Sequence, residues 1–400
     1  MADDIIEPFL DQAMHYSYDD TGERQAVLRQ LTRVVIKVGT RLLTDIDDQS
    51  KTERVEQLVA ALARLRERGL DVVLVSSGAI GAGMAVLGTE QRPTALAELQ
   101  AHAAVGQCRL MSLYETACVK HGFHCAQLLL TAADVQSRGR HVNVMSCASD
   151  LLARGVLPIV NENDSVSVEE IRFGDNDVLA ALVATMIRAD LTVLLTTVNG
   201  MHDGNQAVPP QRLSVVNQVS EEIKEMASGT DGNRFSVGGM ITKLRAAELV
   251  TRAGEGLWIA DGTDFSILDR IIAGEDVGTL FPAGSDTRMR SHKRYLAFFA
   301  EHRGDLIIDA GAEKAVVEQG RSLLPSGITQ IIGDFVRGDT IRILNTDGVE
   351  LGRGVTNYSS ENVALIKGRK SGDIRAILGY DACDDVVVHR SYLVLTSTNS

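Results

Sequence analysis

The chain has 400 residues, a net charge of −13 and 44% hydrophobic side chains, enough for two or three domains around a sizeable core. Only 4% of residues are aromatic, which argues against a base-stacking surface, and the acidic balance argues against non-specific attraction to phosphate backbones. Five cysteines, at 108, 118, 125, 147 and 383, contain no Cys-x-x-Cys pair and fit reduced thiols in a cytoplasmic protein, while no apolar run approaches the ~20 residues of a membrane span.

Residues 1–30 read as an N-terminal extension. It is acidic where a targeting peptide would be basic, and Glu23–Leu31 reads as a short helix. Val34–Val38 reads as a buried strand interrupted by Lys37 and followed by Gly39-Thr40. A lysine in a β-branched run is costly to bury without an anion, unless it snorkels at the strand end. Thr52–Arg68 has a 3.6-period apolar face, Val55, Leu58, Val59, Leu62 and Leu65, closed by Gly69. Asp71–Val75 is the second strand. The stretch after it, Ser76 to Gly83, is glycine-rich and reads as a turn whose N–H groups approach an anion. It is neither the dinucleotide fingerprint nor a Walker A loop.

A long helix, or two, is expected over 94–120. Strands follow at Cys125–Leu130 and Val156–Val160, separated by mostly helix over Val135–Arg154. Next comes NENDSVSVEEIRFGDND, Asn161 to Asp177, leading into a helix over Val178–Ala189. Asp and Asn before a helix are ordinary caps, and Asp175 reads as one. Seven Asn, Asp and Glu side chains in two clusters exceed what one cap needs. Thr192–Thr196 is the fifth strand and ends in Thr196-Thr197-Val-Asn-Gly200. His202–Arg212 reads as a loop and Val219–Ala227 as a short helix. Phe235–Lys243 opens a helix to about Arg252, with two glycines and Lys243 making a second anion cradle. Leu257–Ala260 reads as the last strand of this unit. Strands alternating with helices predict a parallel α/β sheet. Residues 283–303 read as a linker with a strand at Tyr295–Ala300. Short, closely spaced strands follow at Leu306–Ile308, Ile328–Ile332, Thr340–Leu344 and Val349–Val355, with a helix at Glu313–Gln319.

Two lysines at glycine-bearing element ends, with amides and carboxylates between them, suit phosphoryl transfer. That reaction needs phosphates positioned and their charge neutralised more than it needs covalent chemistry. A nucleotide-dependent kinase and an unspecified α/β enzyme both satisfy this pattern. No metal site is expected, even with His121 and His124 beside Cys118 and Cys125.

The motifs VVIKVGT (34–40), VSSGAIGAG (75–83), NEND (161–164), GDND (174–177) and GGMITK (238–243) stand in an order and spacing that resembles the glutamate 5-kinases. These belong to the amino-acid kinase superfamily. GRSLLPSGI (320–328), FVRGD (335–339) and AILGY (376–380) resemble the PUA domain attached to many of them. The resemblance implies a parallel-sheet α/β/α kinase domain over 31–282, a linker over 283–303 and a small β-rich PUA-like domain over 304–392. It implies transfer of the γ-phosphate of ATP, with Mg²⁺, to the γ-carboxylate of L-glutamate, at the start of proline biosynthesis. Lys37 and Lys243 then match lysines at the transferring phosphate, and Asp177 the carboxylate that orients them. Ser77, Asp164 and Asn176 match glutamate-binding positions, with Ser77 and Asn176 able to donate to carboxylates. Lys37, Gly39, Thr196, Thr197 and the run Val237, Gly238, Gly239, Met240, Ile241, Thr242, Lys243 match the nucleotide side. Two positions depart from the family pattern: Thr197 where aspartate is usual, and Val237 where a hydroxyl is usual. Proline as feedback inhibitor and a homo-oligomer are further implications. RNA binding is not expected of the tail, because residues 301–400 carry net −3.

Overall fold

The computed structural model describes residues 15–19, 22–44, 48–167, 176–204, 210–228, 239–284, 291–379 and 384–395. The chain divides into two compact units, Met1–Ala132 with Asn143–Arg288, and Ala133–Val142 with Met289–Ser400.

The first unit is built on a sheet of nine strands among the described residues. They are β1 (Tyr16–Ser17), β2 (Arg33–Val38), β3 (Asp71–Val75), β4 (Cys125–Leu130), β5 (Leu157–Glu162), β6 (Leu191–Thr196), β7 (Val215–Val216), β8 (Gly256–Asp261) and β9 (Thr279–Phe281). Their order is β1-β7-β9-β8-β6-β2-β3-β5-β4. β2 pairs in parallel with β3 and with β6, and only β1–β7 and β8–β9 are antiparallel.

The central strands are apolar throughout because both faces are covered. Val34, Ile36 and Val38 join one buried cluster with the helix Asp48–Glu67. Val35 joins the other, with the helices Asn176–Ile187 and Met240–Arg252. Side chains alternate along a strand, so Lys37 projects to the face of Val35, beneath those two helices.

Three sequence expectations change here. Leu257–Ala260 is not the last strand of the unit, since β9 returns antiparallel beside β8; three residues give too short a pattern to read. The stretch Ser76–Gly83 is a turn only to Gly78, and the helix Ala79–Leu87 starts at once. Gly83 serves a helix crossing, and Gly78 holds the left-handed turn before the helix. A Cβ on Gly83 would stand 1.9 Å from the carbonyl oxygen of His102, and one on Gly106 would stand 1.7 Å from that of Ala79. Only bare backbone lets the helix Leu96–Lys120 lie this close. Third, the first amide cluster is partly strand, because β5 runs on through Asn161 and Glu162.

Part of the N-terminal extension is integral to the sheet. β1 pairs with β7, and the helix Glu23–Leu28 buries Arg24 completely. Its guanidinium reaches Asp276 at 2.9 Å, bonds Ser214 and lies over the Trp258 ring.

The second unit carries a five-stranded sheet: β10 (Gly304–Ile308), β11 (Ile328–Ile332), β12 (Thr340–Leu344), β13 (Glu350–Thr356) and β14 (Val388–Leu395), in the order β11-β10-β12-β13-β14. The expected strand at Tyr295–Ala300 is instead the end of a helix, Ser291–Phe298. Its run is almost wholly apolar, so alternation cannot be told from a buried helix face. Leu296 is buried within the helix, and Phe299 and Ala300 are buried just past its end. The helix Ser360–Ile366, capped by the Ser359 hydroxyl, was not anticipated.

Candidate active site

The chain leaves β2 to build β3, β5 and β4 on one side, then returns to place β6 and β8 on the other. Connections therefore diverge at the carboxyl end of β2, and in open α/β sheets that point is where a ligand crevice forms. Lys37 stands at this end. Asp177 lies in the first turn of the helix Asn176–Ile187, and Lys243 in the first turn of the helix Met240–Arg252. The fold brings the three together. Lys37 Nζ is 2.5 Å from Asp177 Oδ1, and Lys243 Nζ is 3.0 Å from Asp177 Oδ2. Asp177 is fully buried and each lysine is only 7% exposed. Snorkelling is therefore not the reason for a lysine in β2; a buried counterion is.

Burial pushes the Asp177 carboxyl up, but the two ammonium groups outweigh it and hold the group below its ordinary value. A depressed carboxyl contributes stability that is fully present above the unfolded-chain value, about 3.9. That contribution is lost as pH falls through the lower folded-state value. The urea midpoint is thus expected to drop on acidification below about pH 4, with a shallower acid limb in Asp177→Asn. Identical limbs in the two proteins would overturn this.

A second set of groups meets at the ends of β3 and β5. Asn176 Nδ2 donates to the Ser77 hydroxyl at 2.7 Å, to the Ser76 carbonyl at 2.8 Å and to Asn161 Oδ1 at 3.0 Å. Asn161 Oδ1 also accepts from the Glu162 amide. The expectation that Asn176 donates to a substrate carboxylate changes, because its two N–H groups already serve three acceptors. Its carbonyl oxygen is what it has to offer. Ser77, accepting from Asn176, keeps its own O–H to donate. Asp164 stands, half-buried, in the turn after β5, where Val166 and Ser167 amides donate to the Asn163 carbonyl.

On the other side of β2, Gly39 donates to the Leu195 carbonyl, and a Cβ there would stand 4.0 Å from Lys37 Nζ. The missing side chain keeps the space above the lysine open. Thr196 ends β6 and its carbonyl accepts from Gly262, while Thr197 is exposed. Gly239 is the N-cap of the helix that Met240 begins and offers no capping side chain. Met240 and Ile241 pack against the apolar cluster beneath, and the Thr242 hydroxyl donates to the Gly239 carbonyl. Val237, Gly238 and Asp175, with most of the Ser165–Gly174 segment, lie outside the described residues. Among the described residues no three His, Cys, Asp or Glu side chains converge as for a metal, and no helix is long and apolar enough to cross a membrane.

Asn161, Ser76 and Tyr114 carry no role in the sequence reading. Asn161 sat in a visible polar cluster. Tyr114, whose hydroxyl is 2.9 Å from the Ser76 hydroxyl, occupies an apolar position of a helix and carries no local signal.

Residues 32–261 match the model of the amino acid kinase family, and residues 304–378 that of the PUA domain. The glutamate 5-kinase of Trichlorobacter lovleyi is 43% identical over 93% of this chain and 99% of its own length. That of Caldanaerobacter subterraneus subsp. tengcongensis is 43% identical over 91% of this chain and 97% of its own. Among solved structures, a carbamate kinase from Giardia lamblia bound to AMP-PNP covers 63% of this chain at 20% identity, with a TM-score of 0.46.

Proposed function

The chain belongs to the amino acid kinase family, and from that premise we propose that it transfers the γ-phosphate of ATP to the γ-carboxylate of L-glutamate, the first step of proline biosynthesis. The observation that carries the reading is one buried carboxylate gripped on its two oxygens by two lysines.

An oxygen of the glutamate γ-carboxylate attacks the γ-phosphorus. The bond from that phosphorus to the bridging oxygen breaks, and its electron pair leaves with ADP. The product is L-glutamyl 5-phosphate. A carboxylate is already ionised at neutral pH, so the acceptor needs no general base. Asp177 could not act as one, with both oxygens committed to lysines. The difficulty is bringing two anions together and stabilising charge on the transferring group. Lys37 and Lys243 meet it with preorganised positive charge in a site nearly closed to water. Asp177 keeps two like charges side by side without mutual repulsion forcing them apart.

On the nucleotide side, Gly39, Thr196, Thr197 and the run Val237–Lys243 would line the ATP. The uncapped N–H groups of the Met240–Arg252 helix suit a phosphate. Mg²⁺ is proposed as the partner of ATP rather than of the chain. Both Asp177 oxygens face lysines, and phosphate and water oxygens suffice as Mg²⁺ ligands. On the acceptor side, Ser77 would donate to a glutamate carboxylate, and Asp164 and the Asn176 carbonyl would receive its ammonium. Asp164→Ala is expected to raise the KM for glutamate about 10- to 100-fold, the size of a lost hydrogen bond to a charged group, with kcat little changed. An unchanged glutamate KM would remove Asp164 from the site. Proline as feedback inhibitor, a homo-oligomer and a cytoplasmic location follow from the same family reading. RNA is not proposed as a partner.

The test is an assay with ATP, Mg²⁺ and a panel of acceptors: glutamate, acetylglutamate, aspartate, carbamate and UMP. ADP release would be followed and acyl phosphate trapped with hydroxylamine. Glutamyl hydroxamate formed only with glutamate and ATP is the expected result. ADP release confined to another acceptor would overturn the substrate.

A further inference from the structure

We infer that Tyr114 is a positioning residue for the acceptor substrate, acting through Ser76. The inference rests on the reading of Ser77 and Asn176 as acceptor-binding groups.

Tyr114 is fully buried in the helix Leu96–Lys120. Its hydroxyl and that of Ser76 are 2.9 Å apart. Burial pushes the phenol above its ordinary value, so it stays protonated at any working pH and can donate to Ser76. A buried tyrosine hydroxyl finds a partner as a rule, but this partner stands beside a substrate-binding group. Ser76 is held from three directions. Its amide donates to the Val160 carbonyl of β5, its carbonyl accepts from Asn176, and its hydroxyl meets Tyr114. Ser77, the next residue, takes its place from this frame, from the Ser76 hydroxyl 3.5 Å from its carbonyl, and from Asn176.

The same helix reaches the acceptor side a second time. Gln100 Nε2 donates to the Ser167 carbonyl, at the end of the turn that carries Asp164. Gly106 and Gly83 lock this helix against Ala79–Leu87, the helix that begins two residues after Ser77. One helix thus braces both the Ser76–Ser77 turn and the turn after β5. Tyr114 is its contact closest in sequence to a binding side chain, and it touches no substrate itself.

The experiment measures steady-state kinetics of Tyr114→Phe, Ser76→Ala and the double variant, varying glutamate and ATP separately. Tyr114→Phe keeps the ring and removes only the hydroxyl. The expected result is a glutamate KM raised about 3- to 10-fold, the range of one neutral hydrogen bond. The kcat stays within about twofold and the ATP KM does not move. In the Ser76→Ala background, Tyr114→Phe should add little, because the link is already cut. A melting temperature lowered in Tyr114→Phe with glutamate KM unchanged would overturn the inference, leaving the hydroxyl structural. Fully additive effects in the double variant would overturn the route through Ser76. If Tyr114→Phe does not fold, Ser76→Ala alone reads the same link. Wild-type turnover of glutamate tests the substrate separately from these ratios.

Discussion

Asp177→Asn is expected to lower turnover about 100- to 1,000-fold, with unfolding free energy reduced by about 3–5 kcal/mol, as when a buried ion pair loses one partner. Asparagine keeps the shape, removes the charge and turns one acceptor oxygen into an NH2 donor. Two ammonium groups, each 7% exposed, then face each other without the carboxylate between them. They must lose a proton, move out or open the site to water, and each course ruins the charge aimed at the transferring phosphate. The rival account makes Asp177 an ordinary acidic residue in a helix first turn. That role carries only about 0.3–1 kcal/mol and would leave turnover nearly intact. Steady-state kcat and urea unfolding on the same preparation decide between them. Turnover within tenfold of wild type would sink the ion-pair role.

Lys37→Met is expected to cut turnover roughly 1,000-fold while the protein stays folded and the glutamate KM moves little. Methionine fills the space of the stem, and Lys243 still pairs with Asp177. What is lost is one positive charge at the reacting centre. Lys37→Arg should not rescue the activity. A guanidinium is wider and presents its donors in a fixed plane, so it cannot set a compact point charge where the ammonium stood. Kcat from ADP release checks both variants, and a Lys37→Met enzyme with near wild-type turnover would overturn the assignment.

The two lysines were legible in the sequence for different reasons. Lys37 broke a β-branched run, and Lys243 followed two glycines at a helix start. The partner they share was visible as a residue but not as a contact. Asp177 lies 140 residues from Lys37, and only the helix Asn176–Ile187 crossing the face of Val35 joins them. Parallel-sheet strands were readable because they are buried on both faces. Very short ones, β7 and β9, were not, since two or three residues carry no period. Gly83 misled because a glycine needed for a helix crossing looks the same as one needed for a turn. Its reason, Gly106 and His102, lies in another helix. Tyr114 shows the same limit, since a hydroxyl on an apolar helix face has meaning only once the turn it touches is in place.

Lys37 also matters before there is any site for it to serve. β2 can pair with β3 soon after both are synthesised, but its other neighbour, β6, lies about 150 residues further along the chain. Until then Val34–Val38 is an open, strongly β-forming edge, of the kind through which nascent chains aggregate. One ammonium near the end of such an edge acts as a gatekeeper, because another strand cannot cover it without burying its charge. The residue that will handle phosphate thus guards the nascent chain first. Lys37→Met should accordingly leave a larger share of freshly made protein in the insoluble fraction than Lys243→Met, whose lysine sits on a helix.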